Sequence, residues 1–348
     1  MAVPLRVGIL NDMSEGPPGP ADMQSWLRLT ADEFVGAGRL DREVEFVHAW
    51  GLGLPSGTAA AVERAFAALV LQDVLLIVGP AIGDNALIAR ALADSHGTPT
   101  INWAGSERAR SEYMFQLQVG SHEDESIVLA RYIASLGVQR VGVVHDRSPI
   151  GRRHLLFFQA ETELLGLRMT GAASVGPLAA DATIEVNTVL EAGAEALVYL
   201  GLGLSAPAVA QAVRARNWRG ACAMNTAGLR GYASEFARII DGWVYVDMHS
   251  DHNATLTTLR RRLGVAPAKG LAAAKGYDLG RLVAEGLARA PEFTREGVKE
   301  GLEQVKWIPA AQGHEGTLLG FGNYDRGALH GRYLVLRQWQ DGQSLEIG

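Results

Sequence analysis

Cysteine occurs once in the 348 residues, at Cys222, so an internal disulfide is excluded. A single thiol needs no partner and says nothing about redox compartment; a small buried residue is its plainest role. No apolar run approaches the roughly 20 residues of a membrane-spanning helix, so direct membrane insertion is not expected. Basic runs are short as well. Arg260-Arg261-Arg262 is the longest and the net charge is -6, which argues against nucleic acid and anionic membranes as partners. Only a few residues precede the first apparent strand, so no secretory signal stands in the chain as written. The expectation is a periplasmic protein if a leader has been removed from this numbering, and a cytoplasmic one if Met1 is the native start.

Motifs for common chemistries are missing too. Gly201-Leu202-Gly203-Leu204-Ser205 lacks the third glycine of a dinucleotide loop, and neither a Walker-type phosphate loop nor a GxSxG elbow occurs. His249 and His252, with Asp247 and Asp251, have a spacing that suits a metal, but without a Cys or HExxH partner a polar loop is the simpler reading. Cys222 has no visible basic neighbour to activate it. No enzyme activity and no cofactor are expected.

What is present is apolar and periodic. At 48% hydrophobic residues the chain can bury two cores. The segment Asp73–Ser111 organises the reading: Val74–Val78 is an unbroken apolar strand, Gly79-Pro80 ends it, and Asp84 or Asn85 sits where an N-cap belongs. A helix over Ala86–Ala93 closes at Gly97, and a second strand, Thr98–Asn102, runs into Trp103-Ala104-Gly105-Ser106. Strands at Val7–Leu10 and Glu43–His48 and helices at Asp22–Val35 and after Thr58 complete a βαβαβαβ order, which predicts a doubly wound parallel sheet. Met13–Pro20 and Trp50–Gly57 read as loops rich in Gly and Pro. The order then restarts from Glu125, through strands at Arg140–Val144, Leu167–Ala173, Glu195–Leu200, Ala221–Met224 and Trp243–Asp247, with Gly270–Ala290 helical and a last strand at Tyr333–Trp339. The repeat lies in the order of elements, not in the residues.

The segments VGILNDMS, DVLLIVGPAIGDNA, TPTINWAGS, YIASLGVQRVGVVHDRSPIGRR and GNYDRGALHGRYLVLRQWQDGQ resemble, in order and spacing, those of leucine/isoleucine/valine-type periplasmic binding proteins. This resemblance implies an α/β fold of two Rossmann-like lobes joined by a three-crossover hinge, with residues 1–118 and 250–328 in the N-terminal lobe and 119–249 and 329–348 in the C-terminal lobe. It also implies a small-molecule ligand captured by closure and an ABC permease as partner; the alternative it allows is a cytoplasmic amide-type sensor that passes closure to a regulatory protein.

By the same resemblance, Gly83 falls where amino-acid-binding members place a hydroxyl against the ligand carboxylate, beside Asp84 and Asn85. Ala104, Gly105 and Ser106 form the second carboxylate loop, with Trp103 where Pro is common. His122 falls on the acid that takes the ammonium group, Ile150 and Leu202 on two aromatics, and Asn225 or Thr226 on a further acid. Fewer fixed charges and more apolar surface point to an aromatic or apolar carboxylate or amide rather than a free aliphatic amino acid, since an unpaired buried zwitterion costs several kcal/mol. The plainer readings are that Trp103 plugs a sheet edge, Asp84 caps a helix, Ser106 caps a turn, His122 is a neutral hinge residue and Trp50 packs rather than forming a lid.

Overall fold

The computed structural model describes residues 3–12, 23–50, 58–266 and 269–347. The loops expected at Met13–Pro20 and Gly51–Gly57 lie outside those residues. The elements run β1 (Leu5–Leu10), α1 (Met23–Gly36), β2 (Val44–Ala49), α2 (Ala59–Val70), β3 (Leu76–Val78), α3 (Gly83–His96), β4 (Thr100–Asn102) and β5 (Met114–Gln116). There follow α4 (Asp124–Ser135), β6 (Arg140–Asp146), α5 (Pro149–Leu164), β7 (Arg168–Val175), α6 (Thr183–Glu191), β8 (Ala196–Leu200), α7 (Ala206–Ala215), β9 (Ala221–Met224), α8 (Ser234–Ile239) and β10 (Val244–Asp247). The chain ends with α9 (Ala254–Leu263), α10 (Gly270–Arg289), α11 (Arg295–Glu303), β11 (Ile308–Pro309), β12 (Leu318–Leu319), β13 (Leu329–His330), β14 (Val335–Gln340) and β15 (Gln343–Glu346).

Two compact units result, Met1–Val119 with Asp251–Tyr333 and Gly120–Ser250 with Leu334–Gly348. The last passage between them, expected near Leu329, falls after Tyr333, because Leu329 and His330 pair with Leu319 and Leu318 inside the first unit.

In the first unit the sheet order is β2-β1-β3-β4-β5, all parallel. Successive side chains point to opposite faces, and the sequence supplies an apolar residue to each. Val7, Ile9, Leu76, Val78 and Ile101 pack with Leu27 of α1, Leu282 and Val283 of α10 and Leu302 of α11. Leu10, Ile77 and Met114 pack on the other face with Phe66 and Leu69 of α2 and Ala89 and Ala93 of α3. The second unit repeats the order as β7-β6-β8-β9-β10, parallel, and extends it with antiparallel β14 and β15. Each sheet thus reverses its strand order at one point, between β1 and β3 and between β6 and β8, where open α/β sheets bind their ligands.

Several boundaries differ from the sequence reading. Neither Asp84 nor Asn85 caps α3: the helix begins at Gly83, with Ile82 at the cap and no side-chain bond from it. Gly97 does close it, at φ 55 in the left-handed region. Thr58 caps α2 through the N–H of Ala61, and Leu282, Val283, Gly286 and Leu287 of α10 are buried as expected. Tyr333–Trp339 is not the last strand, since β15 pairs with β14 beyond it.

Candidate functional site

The loops after β1 and β3 are joined by a residue the sequence reading passed over. Asp12 is buried, and its carboxylate accepts the N–H groups of Ala81 (2.8 Å) and Ile82 (2.9 Å) and the Nδ2 of Asn85 (2.9 Å). This carboxylate, rather than Asp84 or Asn85, satisfies amides leading into α3. Burial raises the Asp12 carboxyl above its ordinary range, with the three donors pulling the other way. Gly83 and Asn85 are buried and Asp84 is half-buried in the first turn of α3.

The second loop is tied inward. Trp103 donates its N–H to the Pro80 carbonyl (3.2 Å), and its side chain, 7% exposed, packs in the core with residues of β1, α1, α10 and α11. Ala104 is buried against Ala86 and Ala109. Its N–H, expected to meet a ligand carboxylate, instead donates to Asn102 Oδ1 (3.0 Å), and the carbonyls of Ala104 and Ser106 accept the Gln116 amide (2.6 and 3.1 Å). Ser106 is buried and its hydroxyl does not cap the following 3-10 turn. Gly105 is half-buried, and Trp50 is 42% exposed.

In the second unit the corresponding acid is Asp146, which accepts the Leu202 N–H (2.7 Å) from the loop after β8 and both the N–H and hydroxyl of Ser148 from the loop after β6. Ile150, 9% exposed, stands in the first turn of α5, where Ser148 caps through Gly151. Asn225 is spent on its neighbours: its side chain exchanges two bonds with the Gly201 backbone (3.3 and 2.9 Å), and its Nδ2 lies 3.0 Å from His154 Nε2. The His122 ring lies 4.9 Å from that of His154, and the His122 carbonyl accepts the Ser126 hydroxyl (2.8 Å). Burial first, and the neighbouring His122 second, hold His154 well below its ordinary value. A neutral ring with its proton on Nδ1 suits these partners, since Nε2 then accepts from Asn225 while Ser126 Oγ lies 3.2 Å from Nδ1. The Thr226 N–H donates to Glu125 Oε2 (2.7 Å). Leu202 and Thr226 are half-buried, whereas His122, Ile150 and Asn225 are buried.

Asp146 thus holds Leu202, His154 meets both His122 and Asn225, and Glu125 holds Thr226; the sequence reading placed none of these three in the site. The paired Asp247 and His249 (3.1 Å) share Asp247 with Tyr232 and Tyr245, and among the described residues no cluster of His, Cys, Asp and Glu could hold a metal. Burial pushes the Cys222 thiol up to about 12. Three described surface cavities, of about 540, 560 and 330 Å³, are lined by none of the expected site residues.

Two doubly wound units, each with loops at the switch point of its own sheet, have the arrangement in which open α/β sheets bind ligands. The chain belongs to the periplasmic binding protein family, whose profile matches residues 4–342. Its fold is that of the type I members. It is similar to the periplasmic binding protein type 1 from Bordetella pertussis Tohama I, with a TM-score of 0.82 at 15% identity over 99% of this chain and 100% of the other. The branched-chain amino acid transporter substrate-binding protein from Streptococcus pneumoniae, solved with isoleucine, gives 0.81 at 18% identity over 99% of each chain. A leucine-binding protein from Thermotoga maritima MSB8 gives 0.79 at 16%, covering 99% of this chain and 98% of the other. No curated protein sequence matches. Among the described residues no helix is long and apolar enough to cross a membrane.

Proposed function

We propose that this chain is the solute-binding protein of an ABC-type importer, working with a permease, and that it takes a small ring-bearing or apolar carboxylate or amide without altering it. The observation that carries the reading is that the groups which would grip a free amino acid are absent or already spent. Gly83 offers no hydroxyl, the Ala104 N–H is held by Asn102, the Thr226 N–H by Glu125, and the Asn225 side chain by Gly201 and His154. A zwitterion would have to displace these internal bonds to be paired, whereas an apolar ring with one polar group needs few anchors.

A thermal-shift panel tests this. A compound at about 100 times its Kd stabilises the fold by roughly 2.7 kcal/mol, a shift of several degrees. At least one ring-bearing acid or amide should register while leucine, isoleucine and valine stay silent, and leucine giving the largest shift would overturn the reading. Closure on the bound compound should lower the radius of gyration in small-angle scattering.

A further inference from the structure

Glu125 is 1% exposed, one residue into α4, and both of its oxygens are committed. Oε1 accepts the N–H of Ser121 at 2.7 Å. The Ser121 hydroxyl in turn accepts the N–H of Asp124 at 3.0 Å, so this half resembles the reciprocal bonding of a capping box. A cap accounts for only one oxygen. Oε2 accepts the N–H of Thr226, 101 residues further on, also at 2.7 Å. The space is built for this carboxylate: Gly120, at φ +85, faces it so closely that a Cβ there would stand 2.2 Å from Oε1 and 3.0 Å from Thr226 Cγ2. Burial pushes the Glu125 carboxyl up to about 7, against the two amides, which favour the charged form. A carboxyl kept under that penalty yields nothing as simple packing, where an apolar side chain would serve better.

We propose that Glu125 is a positioning residue that locks the turn carrying His122 to the turn carrying Thr226, so that these two ligand-facing segments of the second unit move as one. This rests on the ligand-binding reading above for its consequence, but the lock itself can be measured without any ligand. Glu125→Gln keeps the size of the side chain and replaces one acceptor oxygen by an NH₂ group that opposes a backbone N–H. In ¹H–¹⁵N spectra of the whole chain, the Ser121 and Thr226 amide protons should lie downfield in the wild type. In the variant both should move upfield and exchange with solvent about tenfold faster. Benzoate and benzamide serve as probes, and whichever binds the wild type should lose at least tenfold in affinity. The melting temperature at pH 8 should change little, because removing a buried charge offsets the amide left facing an NH₂ group. A residue that merely holds the unit together would instead lower affinity and melting temperature together. An unchanged Thr226 amide, or an unchanged affinity with both amides shifted, overturns the proposal. If Glu125→Gln does not fold, Glu125→Asp, which keeps the charge but reaches only one of the two amides, must separate their shifts. If neither probe binds the wild type, the expected ligand class fails on its own account, and the amide shifts still decide the role of Glu125.

Discussion

Replacing Trp103 by Ala separates two views of that residue. As a cleft wall offered to a ligand it would contribute little to the unliganded fold. Its side chain, however, is 7% exposed and belongs to the same core as Val7, Leu27 and Leu282. A Trp buries about 150–250 Å², and truncation of a buried Trp to Ala costs about 3–5 kcal/mol once the cavity is included. For a unit of this size each kcal/mol moves the melting temperature by about 2–4 °C, so the ligand-free Trp103→Ala protein should melt on the order of 10 °C lower. Differential scanning calorimetry without ligand measures this directly, and Trp50→Ala is the control: with 42% of that residue exposed, its effect should be within about 0.5 kcal/mol. Trp103→Phe should recover much of the loss. If ligand-free Trp103→Ala melts within 2 °C of the wild type, on the scale just given, the assignment of this ring to the core is wrong. Loss of a ligand-induced shift in Trp103→Ala would then count as evidence of direct contact, which it does not while the scaffold itself is weakened.

Asp12→Ala should cost about 3 kcal/mol in urea unfolding, because the donors of Ala81, Ile82 and Asn85 lose their shared acceptor and an orphaned buried donor costs about 1–3 kcal/mol; a loss under about 1 kcal/mol would show that water replaces it. Burial raises Asp278 to about 7, so the folded chain keeps a proton that the unfolded chain releases near its ordinary value. That contribution is complete below the unfolded value and is lost as pH rises through 7, so Asp278→Asn should gain stability relative to wild type between pH 5 and pH 8. His154 runs the other way: its depressed value makes its contribution complete above about 6.5 and lost as pH falls below it, so His154→Gln should flatten the acid limb of the stability profile. Gly120→Ala should destabilise and should disturb the Thr226 amide, since the new Cβ meets Glu125 Oε1.

The long, periodic elements were legible because burial on both faces writes itself as apolar runs, as in the strands around Val7, Ile77 and Val143. The short ones were not. β5 has three residues and β11 to β13 two each, too few to show a period, and they are fixed by distant partners. The Gln116 N–H donates to the Arg326 carbonyl, and the Gln118 side chain reaches the Leu329 backbone, 211 residues away. For the candidate site the loops could be located from the sequence, but not the bonds their atoms make. Which N–H is free depends on a residue far along the chain: Asn85 on Asp12, 73 positions back, and Leu202 on Asp146, 56 positions back.

One signal in the residues did point there, and it corrects the expectation that nothing repeats at that level. β1 and its exit read Val7-Gly8-Ile9-Leu10-Asn11-Asp12, and β6 reads Val141-Gly142-Val143-Val144-His145-Asp146. Both strands hold the same place in a 2-1-3-4-5 order. The glycines do the same work: a Cβ on Gly8 would stand 3.1 Å from Leu69 Cδ1 of α2, and one on Gly142 would stand 2.1 Å from Val189 Cγ1 of α6, so each lets a helix settle on its strand. The aspartates do as well, each accepting backbone N–H groups from the loop after the third strand of its own sheet. In both units, therefore, backbone amides at the switch point of the sheet are already claimed by a carboxylate from the first strand of that unit.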